Sequence, residues 1–195
     1  MVVQYWPGTW LYLDKNLNSS FESNHFNIHG IWPNYDNDTW PEYCPGHFNK
    51  SVLEGIWPRL ETYWTNYINT TEFIEHEYYK HITCLMKDSK FTNELMVFNY
   101  GLFKRAEIDL YSLFYVNNVE PNNKRLYNTG HLIDMIKWFF KKDVVVTCLK
   151  DPNSDKWLLD EVRFCFEKSM KPINCNEKEM KESCKSEMVL YNIVQ

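Results

Sequence analysis

The 195-residue sequence predicts an α+β fold, with a central antiparallel sheet flanked by helices and stapled by disulfides. Three observations carry this expectation. Strand-like segments stand near both ends of the chain, while the middle carries apolar residues at helical spacing. The six cysteines, Cys44, Cys84, Cys148, Cys165, Cys175 and Cys184, are scattered with no C-x-x-C pair, a pattern that fits disulfides better than a zinc site. The composition, 44% hydrophobic and 24% charged, is that of a chain able to build a core. The length suits one ordinary domain, residues 1–195.

The elements follow in order. Val2-Val3-Gln4-Tyr5-Trp6 reads as a strand and Pro7-Gly8 as a turn. His25-Phe26-Asn27-Ile28-His29 alternates, which sets Asn27 and His29 on the face opposite Phe26 and Ile28, and Pro33-Asn34 ends that strand. Residues 51–67 mix helical spacing with an interruption at Pro58. A helix capped by Thr70 or Thr71 is expected to run through His81 to Cys84. Thr92 to Val116 reads as one long helix, stopped by Asn117-Asn118 and Pro121, and Lys124 to Phe140 as a second. Val144 to Cys148 and Trp157 to Phe166 are strand-like. The tail holds four cysteines among charged residues, so it is stapled, and its Lys/Glu-rich stretch from Asn176 to Glu187 reads as a solvated face.

The formal charge of −5 argues against binding nucleic acid by bulk electrostatics, though a local cationic pocket is compatible with it. No apolar run is long enough for a transmembrane helix, so stable membrane insertion is not expected. N-x-[ST] sequons at Asn18, Asn37, Asn49 and Asn69 mark candidate glycosylation sites and give mild support to secretion. The N-terminus shows no signal pattern, as expected of a mature or trimmed chain.

The segment His76-Glu77-Tyr78-Tyr79-Lys80-His81 holds the most chemistry. Its histidines are at i and i+5, about 140° apart on an α-helix, which disfavours a shared metal of the H-E-x-x-H kind. Glu77 with His81, and His76 with Lys80, are i, i+4 pairs, so the carboxylate is expected to orient the imidazole and stabilise its protonated form. Cationic groups gathered this way suit an anion that gains charge during reaction, such as a phosphodiester. One imidazole cannot both take and give a proton at the two ends of a displacement. His29 is the candidate partner, with Gly30 allowing close approach and Trp32 offering a flat surface for a base.

Phe26-Asn27-Ile28-His29-Gly30-Ile31-Trp32-Pro33-Asn34 and His76-Glu77-Tyr78-Tyr79-Lys80-His81-Ile82-Thr83-Cys84 resemble the two active-site segments of the ribonuclease T2 family. The resemblance implies an endoribonuclease that cleaves single-stranded RNA through a 2′,3′-cyclic phosphate, with His81 as general base and His29 as general acid. Hydrolysis of the cyclic product reverses these roles, so the chemistry counts on this reading as both lyase and hydrolase. Glu77, Lys80 and His76 would hold the phosphate. Trp32 and Asn34 would line one base pocket, and Gln4 and Phe73 would touch the other base. No metal or other cofactor is implied, and DNA, lacking the attacking 2′-hydroxyl, should be inert. The family's disulfide pattern implies Cys44–Cys84, Cys148–Cys184 and Cys165–Cys175, and its usual route implies a secreted or vacuolar/lysosomal protein. The sequence departs from the family pattern at Ile82, where Gly is usual, at Tyr78-Tyr79, where Trp-Glu is common, and at Asn34, where some members carry Asp, so base preference does not carry over. The rival reading is a secreted glycoprotein that acts mainly by binding a cell-surface receptor through its glycans, or by entering cells, with RNA cleavage secondary.

Overall fold

A computed structural model describes residues 1–14, 24–35, 39–87 and 90–193. The sheet is assembled on β5 (Trp157–Phe166), which is flanked on its two edges by β1 (Val2–Tyr5) and β4 (Val145–Lys150), both antiparallel to it. β2 (Asn27–Ile31) adds antiparallel outside β1, and β6 (Pro172–Ile173) pairs antiparallel with the end of β5. β7 (Met188–Leu190) joins β5 in parallel and carries β3 (Leu126–Asn128) antiparallel beyond it. The α+β class is therefore as anticipated, and β5–β7 is the single parallel pairing among the described strands. Around the sheet lie α1 (Pro7–Leu13), α2 (Trp57–Tyr63), α3 (Thr70–Glu77), α4 (Thr83–Lys87), α5 (Glu94–Glu107), α6 (Leu110–Tyr115), α7 (Thr129–Phe140) and the short α8 (Glu177–Met180).

Several boundaries differ from the sequence reading, each through local capping. Pro7-Gly8 opens α1 instead of making a turn, because proline in the first helical turn gives up no needed N–H. Pro58 likewise starts α2 after a 3₁₀ segment, Lys50–Ile56, and so begins a helix where an interruption was expected. Asn69, not Thr70 or Thr71, caps α3 by accepting from Glu72 N at 3.2 Å. The long helix expected over 92–116 breaks at Ile108–Asp109, where Asp109 turns to cap α6. Leu126–Asn128 pairs with β7, and the side chain of Asn128 then caps α7.

Two apolar cores meet along the segment that carries β2. Phe26 packs with Trp6, Phe114, Ile136, Phe164 and Tyr191 in one. Ile28 and Ile31 pack with Trp64, Ile74, Tyr78 and Phe98 in the other. Phe26 and Ile28 are both fully buried but in different cores, and Asn27 between them is buried as well. The three disulfides are Cys44–Cys84, Cys148–Cys184 and Cys165–Cys175, the pairings implied by the resemblance. Asn49 and Asn69 are exposed, and each spends its side-chain oxygen, not its nitrogen, on a helix cap. The sequons at Asn18 and Asn37 lie outside the described residues.

Cys44–Cys84 ties the segment that follows β2 to α4 across a separation of 40 residues. Removing it as Cys44→Ser/Cys84→Ser should lower unfolding free energy in urea by about 4 kcal/mol, the loop-closure value for that length.

Candidate active site

His29 has no opposite number in the ladder: Val3 pairs with Gly30 and Gln4 with Ile28, so one extra residue is accommodated on β2. Such a bulge re-aims a side chain, and here the imidazole reaches over β1 to β5. Its Nδ1 lies 2.5 Å from Glu161 Oε1. Glu161 stands at a second irregularity, where Asp160 and Glu161 together face Thr147. Thr147 Oγ1 accepts from Glu161 N at 3.1 Å and donates to Asp160 Oδ2 at 3.0 Å. Arg163 Nε donates to the other Glu161 oxygen at 3.1 Å, and the Arg163 guanidinium also pairs with Glu182. Burial alone would depress the His29 pKa, but the hydrogen bond and charge of Glu161, helped by Glu77 and Asp160, outweigh it and hold the imidazole above its ordinary value. The Glu161 carboxyl is held low for the reciprocal reason: His29 and Arg163 overcome its own burial.

The second imidazole comes from the run α3–α4, which is interrupted by a π-helical turn at Tyr78–Ile82, with Thr83 N–H reaching back five residues to Tyr78 O. Such turns recur at functional sites. The extra residue breaks the i, i+4 stacking expected here, and this corrects the role read for Glu77. That carboxylate is buried and accepts from Trp32 Nε1 at 3.1 Å, and its charge acts on His29. Burial raises the Glu77 pKa against the pull of His29, Trp32 and Lys80. His81 is buried, and its Nδ1 has no hydrogen-bond partner among the described residues. Its pKa falls to about 3, first through burial and then through the positive charge of Lys80, His29 and His76. His76 is more exposed, and the water it does lose, with Lys80 and His29, keeps its pKa below the ordinary value.

Trp32 contacts both imidazoles, 5.0 Å from the His29 ring and 5.3 Å from the His81 ring. It walls a cavity of about 270 Å³ with Lys80, His81, Asn34 and Arg163, and also borders a larger one of about 560 Å³. Asn34 donates to Glu179 on α8, so the stretch read as a solvated face lines the cleft. Lys80 Nζ stands 3.8 Å from Glu42 Oε1. Phe73 is buried against His29, its ring 5.8 Å away. Gln4 is fully buried and donates to Ile108 O at 3.1 Å, so its side chain braces the core and is not available to a base. Gly30 is indispensable, since a Cβ there would collide with Glu77 Oε2 and Trp32 Nε1.

Sequence reasoning did not find Glu161, Asp160, Arg163 or Thr147. The available signal was the charge itself: two adjacent acids and an arginine inside a strand of otherwise apolar residues call for buried partners.

A family-wide sequence model, described as Ribonuclease T2 family, matches residues 1–175. The chain is 31% identical to ribonuclease Oy of Magallana gigas, over 80% of its length and 76% of that protein. It is 26% identical to ribonuclease T2 of Homo sapiens over 98% of this chain and 75% of the human one. In fold it is similar to the crystal structure of human ribonuclease T2, with TM-score 0.83 and 23% identity, covering 100% of this chain and 97% of that one. Ribonuclease MC1 from bitter gourd seeds aligns with TM-score 0.83 and 24% identity over 97% of both chains. These relatives are ribonucleases, which supports hydrolase and endonuclease as the enzyme class, and the additional lyase assignment does not hold. With both active-site segments inside the matched region, the chain belongs to the ribonuclease T2 family and is an endoribonuclease.

Proposed function

We propose that this enzyme cleaves single-stranded RNA by metal-independent transesterification, with His81 as general base and His29 as general acid. The observation that carries the reading is that two imidazoles meet one indole, His29 and His81 lying 5.0 and 5.3 Å from the Trp32 ring. His29 is held by a carboxylate and His81 lies beside Lys80, surroundings that favour a charged and a neutral ring respectively. His81 takes the proton of the 2′-hydroxyl, and the freed oxygen attacks phosphorus. The bond to the 5′-oxygen breaks, and that oxygen leaves with a proton from His29. The resulting 2′,3′-cyclic phosphate is then opened by water with the two roles exchanged. Lys80, His76 and Glu77 surround the phosphate as its charge grows. Because the nucleophile belongs to the substrate and the charge is met by side chains, no metal is required and DNA is not cut.

Mutant ribonuclease MC1 and ribonuclease NT have been crystallised with 5′-GMP and 5′-AMP respectively, which supports a nucleotide in the cleft. A phosphate engaging both imidazoles enters beside the Trp32 indole, with a base against Trp32 and Asn34 and Phe73 behind His29. Three disulfides fit an oxidising compartment, and we assign the protein to the secretory route, either secreted or vacuolar/lysosomal. No described helix is long and apolar enough to cross a membrane.

His29→Ala and His81→Ala should each reduce cleavage of an RNA dinucleotide in chelator by about 10²–10⁴-fold, while His131→Ala, on the exposed face of α7, leaves it unchanged. Cyclic-phosphate ends, read by mass spectrometry, are the expected first product, and persistence of full activity in His81→Ala would refute the mechanism.

A general base must be neutral, so activity falls as pH drops through the pKa of His81. With that value near 3, the acid limb of the kcat/KM profile should lie well below the ordinary imidazole range. Lys80→Ala removes a neighbouring positive charge, so the limb should move to higher pH.

Gly30→Ala should force β2 away from Glu77 and Trp32, abolishing measurable cleavage and lowering the melting temperature.

A further inference from the structure

A general acid needs one particular ring nitrogen aimed at the leaving oxygen, and the structure contains a device for this outside the two active-site segments. We propose that Glu161 is a positioning residue for the reaction, holding His29 by Nδ1 so that Nε2 is the nitrogen presented to the substrate, with Arg163 and Thr147 holding Glu161 in turn. This rests on the reading of His29 as general acid.

The geometry is that of a built support. Glu161 is 4% exposed, and both carboxylate oxygens are occupied, one by His29 Nδ1 and the other by Arg163 Nε. Its backbone N–H is pinned by Thr147 at the irregularity that turns the side chain toward His29. The imidazole is also confined by edge contacts to Tyr5, Trp10 and Trp32 and by Phe73. Trp64 Nε1 holds the His29 carbonyl at 2.9 Å. With Nδ1 engaged, Nε2 is the remaining ring nitrogen for proton transfer.

The charges facing His29 come from three elements. β5 supplies Glu161 and Asp160, α3 supplies Glu77 and His76, and the π turn supplies His81, with Lys80 of the same turn acting on Glu77, His76 and His81. Asp160 cannot substitute, because its oxygens are taken by Trp10 and Thr147. In the transfer, Nε2 loses its proton to the leaving oxygen and Nδ1 keeps its own. Glu161 remains a carboxylate throughout and exchanges no proton with the substrate. A buried Glu161–Arg163 pair serving the sheet alone would make none of these demands on His29, and the two roles separate experimentally.

Glu161→Gln preserves shape and removes the charge. On an RNA dinucleotide, kcat should fall roughly 10- to 100-fold with KM little changed, the usual size for loss of an orienting partner. An acid must be protonated, so the alkaline limb of the kcat profile marks His29, and it should move to lower pH. The His29 ring signals in NMR should titrate at lower pH in the folded variant. Wild-type protein gives an answer that needs no variant: neutral His29 should carry its proton on Nδ1. An unmoved alkaline limb with an unmoved His29 titration, or a wild-type ring protonated on Nε2 when neutral, overturns the proposal. His29→Ala separates the two levels. If that variant is inactive while Glu161→Gln behaves as wild type, the support role fails and the acid assignment stands. If His29→Ala is fully active, the acid assignment itself fails.

Discussion

The site depends on how closely a strand approaches a helix. At Gly30 the backbone of β2 meets the buried carboxylate of Glu77 and the indole of Trp32 with no side chain between them. Everything that brings His29 toward His81 follows from this contact. Ile28 and Ile31 on the strand share one apolar core with Ile74, Tyr78 and Ile82 on the helical run, so the two elements are pressed together by burial of their own residues. The Trp32–Glu77 hydrogen bond satisfies a carboxylate that would otherwise be buried unpaired, and Cys44–Cys84 closes the same pair of segments covalently.

Two imidazoles set against one indole would be redundant if their surroundings matched. They differ because the strand and the helix face different charges. His29 leans into the acidic surface of β5, where Glu161 and Asp160 outweigh its loss of water. His81 is buried, its Nδ1 has no partner among the described residues, and it lies beside Lys80 and two other imidazoles. A displacement from 6.5 to about 3 amounts to roughly 5 kcal/mol against placing a proton on His81 in the resting site. Arg163 links the two sides, pairing with Glu161 while its guanidinium sits 5.4 Å from the centre of the Trp32 ring.

Much of the fold was legible because its signals are local. β5 was expected over the residues it occupies, and the run of apolar residues at 144–148 yields β4 displaced slightly along the chain. Helix ends were less legible, because Asn69, Asp109 and Asn128 decide them by side-chain hydrogen bonds that compete with neighbouring candidates of equal propensity. In the site, the two segments supply His29, Trp32, Glu77 and His81, which the structure brings together. Gln4 was assigned to a base although its strand buries it on both sides, and Glu77 was assigned to His81 on the premise of an uninterrupted α-helix.

By itself the sequence determined the α+β class, the two histidine segments, the need for a glycine after His29 and the presence of a stapled tail. Each of these is written in residue type and short-range spacing, which act before the chain has closed. Tertiary structure alone decided that Glu161, 132 residues from His29, would hold that ring, that a π turn would take Glu77 from His81 and give it to Trp32, and that α8 would border the cleft. The first two outcomes rest on one-residue irregularities in strand pairing and helix winding and the third on a tail folded back to Asn34. All three are selected by the packing of distant elements against one another, which spacing along the chain does not encode.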